Sequence, residues 1–109
     1  MKLKDKIAIV TGGADGIGKA TAIRFAQEGA TVVIWDLNEE KGHETVKQIK
    51  DAGGKAAFAK VNTAVFSEVE SATKQVVDQF GTLDIIINNA GITRDSTIKK
   101  MTPETWQQV

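Results

Sequence analysis

A cluster of glycines follows the first apolar run of the chain and has the layout of a phosphate-binding turn. The run Ile7-Ala8-Ile9-Val10 leads into Thr11-Gly12-Gly13-Ala14-Asp15-Gly16-Ile17-Gly18, and helix-like sequence continues from Lys19 to Glu28. A strand, a glycine turn and a helix in this order let the backbone approach a pyrophosphate closely, with the N–H groups of the first helical turn aimed at it. The chemistry indicated is the binding of a phosphorylated ligand by the main chain.

Three glycines of this turn have separate expected tasks. Gly12 permits the sharp turn off the strand, Gly16 removes a Cβ from the path of a phosphate, and Gly18 allows the helix to pack close to the sheet. Their spacing is Gly-x-x-x-Gly-x-Gly, which is less common than Gly-x-Gly-x-x-Gly. Glycines that merely end a strand are the alternative interpretation, and the position between a strand and a helix favours phosphate binding.

A carboxylate stands eighteen residues after Gly18, at the end of the second apolar run. Asp36 at this place can hydrogen-bond both ribose hydroxyls of an adenosine, and its charge would repel a 2′-phosphate. Asp15 is acidic and Leu37 follows Asp36, so the basic residue that usually binds a 2′-phosphate is missing. NAD is therefore favoured over NADP. The alternative is that Asp36 caps the next helix, for which Asn38 is the better candidate.

The third polar group is Asn88-Asn89-Ala90-Gly91, at the end of the fourth apolar run. Amide side chains at the carboxyl end of a strand can fix the wall of a ligand crevice and hydrogen-bond a ribose, and Gly91 permits close approach of a cofactor. Two asparagines in a tight turn are the alternative interpretation of the dipeptide alone.

The sequence around these groups alternates strands with helices. Expected strands cover residues 7–11, 31–35, 56–61 and 83–88, and expected helices cover residues 16–28, 38–52 and 67–80. Because crossovers between parallel strands are right-handed, this order predicts an α/β fold with a Rossmann-type, doubly wound parallel sheet. We expect the strand order 3-2-1-4, a sheet truncated after the fourth strand, and a ligand crevice at the carboxyl ends of the strands.

Composition is that of an ordinary soluble domain and excludes several classes of function. The 109 residues are 41% hydrophobic and 26% charged, and fourteen basic residues balance fourteen acidic ones. Zero net charge gives no electrostatic reason to expect nucleic acid or an anionic membrane as a partner. No cysteine is present, which excludes disulfides and fits a reducing compartment. No signal-peptide region and no run of the roughly 20 apolar residues of a membrane span occur, so we expect a cytoplasmic protein.

The C-terminal residues predict a helix that is cut short. Thr102 has the character of an N-cap and Pro103 that of a first helical residue, and the chain ends at Val109, after about two turns. We expect a chain truncated inside an element; a natural chain with a short terminal helix is the alternative. Truncation would leave the apolar strand at Ile85 to Ile87 as an unpaired sheet edge, which predicts self-association.

Together these motifs resemble the short-chain dehydrogenase/reductase family. The resemblance covers the whole chain, with Thr11-Gly12-x-x-x-Gly16-x-Gly18, Asp36 and Asn88-Asn89-Ala90-Gly91 in order and at matching separations. The run from Ala90 to Asp95 is also similar to the branch that contains 3-oxoacyl-acyl-carrier-protein and acetoacetyl-CoA reductases. The resemblance implies hydride transfer to or from a carbonyl, with a nicotinamide dinucleotide as cofactor.

Further positions carry roles that the resemblance implies. Asn62 and Thr63 match the pair that flanks the adenine, where aspartate is commoner than asparagine first. Val65 matches a position usually held by Asp or Asn, which implies a weak cap for the third helix. Asn88 would be structural, and Asn89 would contact the cofactor ribose.

The resemblance implies that the catalytic residues lie outside this chain. The family's Tyr acid, the Lys of its Tyr-x-x-x-Lys motif, and its Ser and Asn lie beyond the matched segment, and this chain has no tyrosine. Two hypotheses stay open. The chain is the cofactor-binding part of an oxidoreductase of the 3-oxoacyl thioester type, with a carbonyl or alcohol substrate in the full-length parent, or it is a non-catalytic nucleotide-binding fragment. In both, the 109 residues alone are expected to be inactive.

We therefore expect one site, with no catalytic residue and no metal ligand in the chain. The predicted dinucleotide-binding residues of this single domain, residues 1–109, are Gly12, Ala14, Asp15, Gly16, Ile17, Gly18, Asp36, Leu37, Asn62, Thr63, Asn89, Ala90 and Gly91.

Overall fold

The computed structural model describes residues 2–14 and 16–89, and these residues alternate strands and helices along the chain. The strands are β1 (Ile7–Thr11), β2 (Thr31–Asp36), β3 (Lys55–Lys60) and β4 (Ile85–Asn88). The helices are α1 (Gly16–Gln27), α2 (Glu39–Asp51) and α3 (Phe66–Phe80). Each of the seven elements predicted between residues 7 and 88 is present.

The four strands form one parallel sheet in the order β3-β2-β1-β4. In the register, Thr11 of β1 lies beside Trp35 of β2 and beside Asn88 of β4. The predicted α/β class and strand order are confirmed. The order reverses at β1, since β2 lies on one side of it and β4 on the other, and the glycine turn leaves the sheet at this strand.

Alternate residues of β1 point into two separate cores. Ala8 and Val10 belong to the core under α1 and α2, whereas Ile7 and Ile9 belong to the core under α3. Helices therefore cover both faces of the sheet, which explains why the strands read as continuous apolar runs. The two cores hold the carboxyl ends of the strands in a fixed arrangement.

The helix ends follow the predicted chemistry. The Asn38 side chain accepts a hydrogen bond from the Lys41 N–H at the start of α2 (3.0 Å), so Asn38 is the cap. Val65 precedes α3 and provides no side-chain cap, as its residue type implies. Gly81 ends α3 in the left-handed region, with φ 84°.

β1 has the predicted bounds, and the boundaries of the other three strands differ from the predicted ones by one or two residues. The fourth strand begins at Ile85 rather than at Leu83. Just before this start, the side chain of Asp84 takes the place of a backbone acceptor from β4. The Asp84 carboxylate accepts the Ile7 N–H (2.9 Å), and the Asp84 N–H donates to the Ile7 carbonyl (3.0 Å). The third strand lies one residue earlier than predicted, at Lys55–Lys60.

Several sequence predictions fall on residues outside the described part of the chain. These are the expected loop contact of Asp15, the roles of Ala90 and Gly91, and the terminal helix after Thr102. Within the described residues, no helix has the length and apolar character needed to cross a membrane.

Candidate functional site

The glycine turn is anchored to the sheet through the backbone of β2. Gly12 has a φ of 67°, in the region where glycine avoids the steric cost of a side chain. Its N–H donates to the Trp35 carbonyl (2.8 Å), which extends the pairing of β1 with β2 past the end of β1. A Cβ on Gly13 would approach the Ile34 side chain to 2.9 Å. The turn therefore lies directly on the carboxyl end of β2.

Gly18 holds α1 against the same turn. A Cβ at this position would collide with the Gly12 carbonyl and would lie 2.6 Å from the Asn89 side-chain nitrogen. Only glycine fits here without a movement of backbone, which confirms the close packing expected of Gly18. The Asn89 side chain donates to the Gly12 carbonyl (3.4 Å), so the end of β4 also contacts the turn.

Gly16 begins α1 with a φ of 56°, and a Cβ placed on it would meet no described atom within 4 Å. Among the described residues, the start of the helix thus faces open space. A ligand phosphate needs such space to approach the N–H groups of a first helical turn. Ile17 follows and is 70% exposed.

The Asp36 carboxylate connects the glycine turn to the start of α2. One carboxylate oxygen accepts the Ala14 N–H (3.1 Å) and the other accepts the Asn38 N–H (3.0 Å). Asp36 supports the turn before α2, while the capping bond itself comes from Asn38. Because each carboxylate oxygen has two acceptor sites, both retain capacity for a ribose hydroxyl.

A cavity of about 140 Å³ opens beside Asp36 at the carboxyl ends of β2 and β3. Its described lining joins residues that are distant in sequence: Gly12, Trp35, Asp36, Leu37, Val61, Asn62 and Thr63. Five of these seven are predicted site residues. Among the described lining residues, Asp36 is the only charged one. The cavity therefore combines an apolar wall with one carboxylate, a combination that suits a nucleoside.

The segment after β3 is fixed by its own hydrogen bonds. The Asn62 side-chain oxygen accepts the Ala64 N–H (3.0 Å), and the Asn62 N–H donates to the Glu68 carboxylate (3.0 Å). These bonds hold Asn62 in place at the lining of the cavity, next to Thr63. Asparagine retains a polar side chain at this position without a second negative charge.

Thr11 connects β1 with β4 at the base of the site. Its hydroxyl lies 3.1 Å from the Asn88 side-chain oxygen and 3.3 Å from the Ile87 carbonyl. Thr11 is buried, and Asn88 contacts the protein here, in keeping with the structural role that the resemblance implies. The two asparagines thus have different neighbours, since Asn89 contacts the glycine turn.

Trp35 and Val61 line the cavity although the sequence did not single them out as site residues. Trp35 is 1% exposed and packs in the core under α3. Its indole N–H has no hydrogen-bond partner among the described residues. Only their positions in the sequence could have identified them as lining residues, because Trp35 directly precedes Asp36 and Val61 directly precedes Asn62.

The described residues offer no candidate metal site. Across residues 2–14 and 16–89, no group of three or more histidine, aspartate or glutamate side chains is placed to hold a metal ion.

Comparison with known proteins shows that one family model matches nearly the whole chain. The model of one protein family, described as short chain dehydrogenase, matches residues 6–109. The 3-oxoacyl-[acyl-carrier-protein] reductase FabG of Thermotoga maritima is 39% identical over 109 residues, which is all of this chain and 44% of that protein. The chain thus spans less than half of the length of this curated relative.

Solved structures share the arrangement of strands and helices. A hydroxysteroid dehydrogenase from Escherichia coli matches with a TM-score of 0.79 and 37% identity, over 83% of this chain and 37% of that one. An NAD⁺-bound xylitol dehydrogenase matches with a TM-score of 0.79 and 32% identity, over 84% of this chain and 35% of that one. In both, the likeness covers about a third of the larger chain.

Proposed function

This chain belongs to the short-chain dehydrogenase family, and we propose that residues 1–109 form the dinucleotide-binding part of an NAD-dependent oxidoreductase. The observation that carries the proposal is the cavity in which Gly12, Asp36, Leu37, Asn62 and Thr63 meet. A glycine turn, a carboxylate and a partly apolar wall correspond to the phosphate, ribose and base of an adenosine nucleotide.

The proposal assigns one part of the nucleotide to each element. The adenine occupies the cavity between Leu37 and Thr63, and the ribose hydroxyls bind Asp36 at the lining's single described charge. The phosphates lie over the start of α1, where Gly16 presents no Cβ and the helix dipole favours negative charge. Asn89 supports the turn from the β4 side through the Gly12 carbonyl.

NAD is the proposed cofactor, and NADP is the alternative. A 2′-phosphate would approach the Asp36 carboxylate, and no lysine or arginine is among the described residues that line the cavity. At 4 Å, two like unit charges repel by about 4 kcal/mol at the effective dielectric of a protein surface. The NAD⁺-bound state of the similar xylitol dehydrogenase supports the same choice.

The proposed reaction class is reduction of a carbonyl or oxidation of an alcohol, with a 3-oxoacyl thioester as the favoured substrate type. The name of the Thermotoga maritima relative supports that type. A second candidate is a nucleotide-binding fragment without turnover, which the absence of tyrosine from the 109 residues favours. Hydride transfer to a carbonyl needs an acid at the carbonyl oxygen, and the family supplies this acid as tyrosine.

Isothermal titration of the 109-residue chain with NAD, ADP-ribose and AMP tests the proposal. We expect weak binding of all three, with AMP and ADP-ribose bound nearly as well as NAD, because the adenosine side of the site is formed by these residues. If none of the three binds to folded chain, the assignment of the cavity is wrong.

A further inference from the structure

A buried threonine on α2 contacts the glycine turn. The Thr45 hydroxyl lies 3.4 Å from the Ala14 carbonyl and 3.2 Å from the Lys41 carbonyl of its own helix. We propose that Thr45 is a positioning residue for dinucleotide binding, which acts by holding the Ala14 peptide of the turn. This inference rests on the proposed function and adds a residue that is outside the glycine motif.

Both backbone polar groups of Ala14 are held by side chains. Its N–H donates to the Asp36 carboxylate (3.1 Å), and its carbonyl faces the Thr45 hydroxyl. Ala14 itself is 4% exposed. Because the N–H and the carbonyl of Ala14 belong to two successive peptide groups, these two bonds limit rotation about both backbone torsions of Ala14.

Thr45 has a rigid base from which to act. It is 1% exposed, and the neighbouring Val46 and Ile49 pack into the core under α1 and α2. Gly42, one turn earlier in α2, lies so close to the Phe58 ring that a Cβ there would collide with it. Because α2 is packed on β3 in this way, the Thr45 hydroxyl has a fixed position, and its bond to the Ala14 carbonyl fixes that part of the turn relative to α2.

The Ala14 carbonyl, as a second acceptor, distinguishes Thr45 from a threonine that bonds only within its own helix. A threonine inside a helix commonly donates to the carbonyl four residues earlier, which here is Lys41. One hydroxyl has one proton, so Lys41 and Ala14 share it. Thr73 in α3 shows the ordinary case, since its hydroxyl bonds the Val69 carbonyl at 2.7 Å and no contact to the glycine turn accompanies this bond among the described residues.

The turn is the part of the site that receives phosphate, so its order affects phosphate-containing ligands first. A turn that is already in its binding conformation loses less conformational freedom when the ligand binds. Loss of one shared hydrogen bond corresponds to roughly a three- to tenfold change in affinity. Adenosine, which lacks phosphate, reaches Asp36 and the cavity and is affected less.

The test compares Thr45→Val with Thr45→Ser in the 109-residue chain, with Thr73→Val as the matched control. Valine keeps the shape of threonine and removes the hydroxyl, and serine retains the hydroxyl. The dissociation constants of ADP and adenosine are measured by calorimetry, alongside thermal unfolding and hydrogen exchange of the Ala14 amide. Thr45→Ala is measured in parallel as a second variant without the hydroxyl.

We expect Thr45→Val and Thr45→Ala to weaken ADP binding about three- to tenfold, to change adenosine binding less than about twofold, and to speed exchange at Ala14. Thr45→Ser restores ADP affinity, and Thr73→Val leaves it unchanged. Equal losses for ADP and adenosine, unchanged ADP binding, or failure of serine to restore it would overturn the assignment of Thr45. If the unmodified chain binds neither ligand, the proposed function itself fails, a result distinct from these.

Discussion

Replacement of Gly18 by alanine tests whether the close contact between α1 and the glycine turn is required by the fold. In the structure a Cβ on Gly18 collides with the Gly12 carbonyl and lies 2.6 Å from the Asn89 side-chain nitrogen. The first obstacle is backbone, which cannot rotate aside as a side chain can. Either α1 must move away from β1, or the turn must change its conformation.

The size of the effect follows from two opposing terms. Alanine stabilises a helix by about 1 kcal/mol relative to glycine. Overpacking of a tight site costs about 1–3 kcal/mol, and a backbone obstacle places Gly18 at the upper end. The net loss is about 2 kcal/mol, which lowers the midpoint of thermal unfolding by roughly 8–16 °C for a domain of this size.

Gly42→Ala is the matched control, because it also places a Cβ in a helix against a close neighbour. There the obstacle is the Phe58 ring, a side chain rather than backbone, and it is partly exposed. The same helix-propensity gain applies, and a side chain can shift at a smaller cost than backbone, so we expect a smaller net loss than at Gly18. Circular dichroism during thermal and urea unfolding measures both variants. If Gly18→Ala destabilises no more than Gly42→Ala, the reasoning about backbone contact at Gly18 is refuted.

Three further predictions concern binding, activity and association. Asp36→Ala should weaken NAD more than NADP, because the ribose bonds and the repulsion of a 2′-phosphate disappear together; equal loss of both in calorimetry would show that Asp36 is not the ribose acid. The purified chain should not oxidise NADH with acetoacetyl thioesters in a spectrophotometric assay, and measurable turnover would contradict the argument from missing tyrosine. Within the described residues β4 pairs only with β1, so the chain should self-associate through Ile85 to Ile87; a monodisperse monomer in sedimentation, with freely exchanging amides in β4, would refute this.

The architecture could be predicted because each of its causes is local in the sequence. Apolar runs of strand length, helical stripes such as Val69 with Ala72 and Val76, and a cap at Asn38 mark the elements directly. The handedness of crossovers then limits the order of parallel strands. The start of β4 was misplaced because Asp84 satisfies the Ile7 N–H with its side chain, and such a long-range bond leaves no trace in residue spacing.

The candidate site likewise contains residues that the sequence predicts and residues that only the structure identifies. Gly12, Gly18 and Asp36 follow from motif position, since a turn after β1 and an acid after β2 must meet at one edge of a parallel sheet. The contact of Thr45 with Ala14 spans 31 residues and depends on how α2 packs, which only three-dimensional contacts define. Trp35 and Val61 were missed because apolar strand residues look alike whether they line a cavity or fill a core.

The location of nucleotide binding is the central claim, and amide chemical shifts during titration with AMP test it most directly. We predict that the largest shifts occur at Gly12, Asp36, Leu37, Asn62 and Thr63, around the cavity beside β2 and β3. A second groove, between α1 and α2 at Ile23, Gln48 and Ala52, serves as an internal control and should show none. Shifts concentrated in that second groove, or saturating binding without shifts around Asp36, would contradict the account.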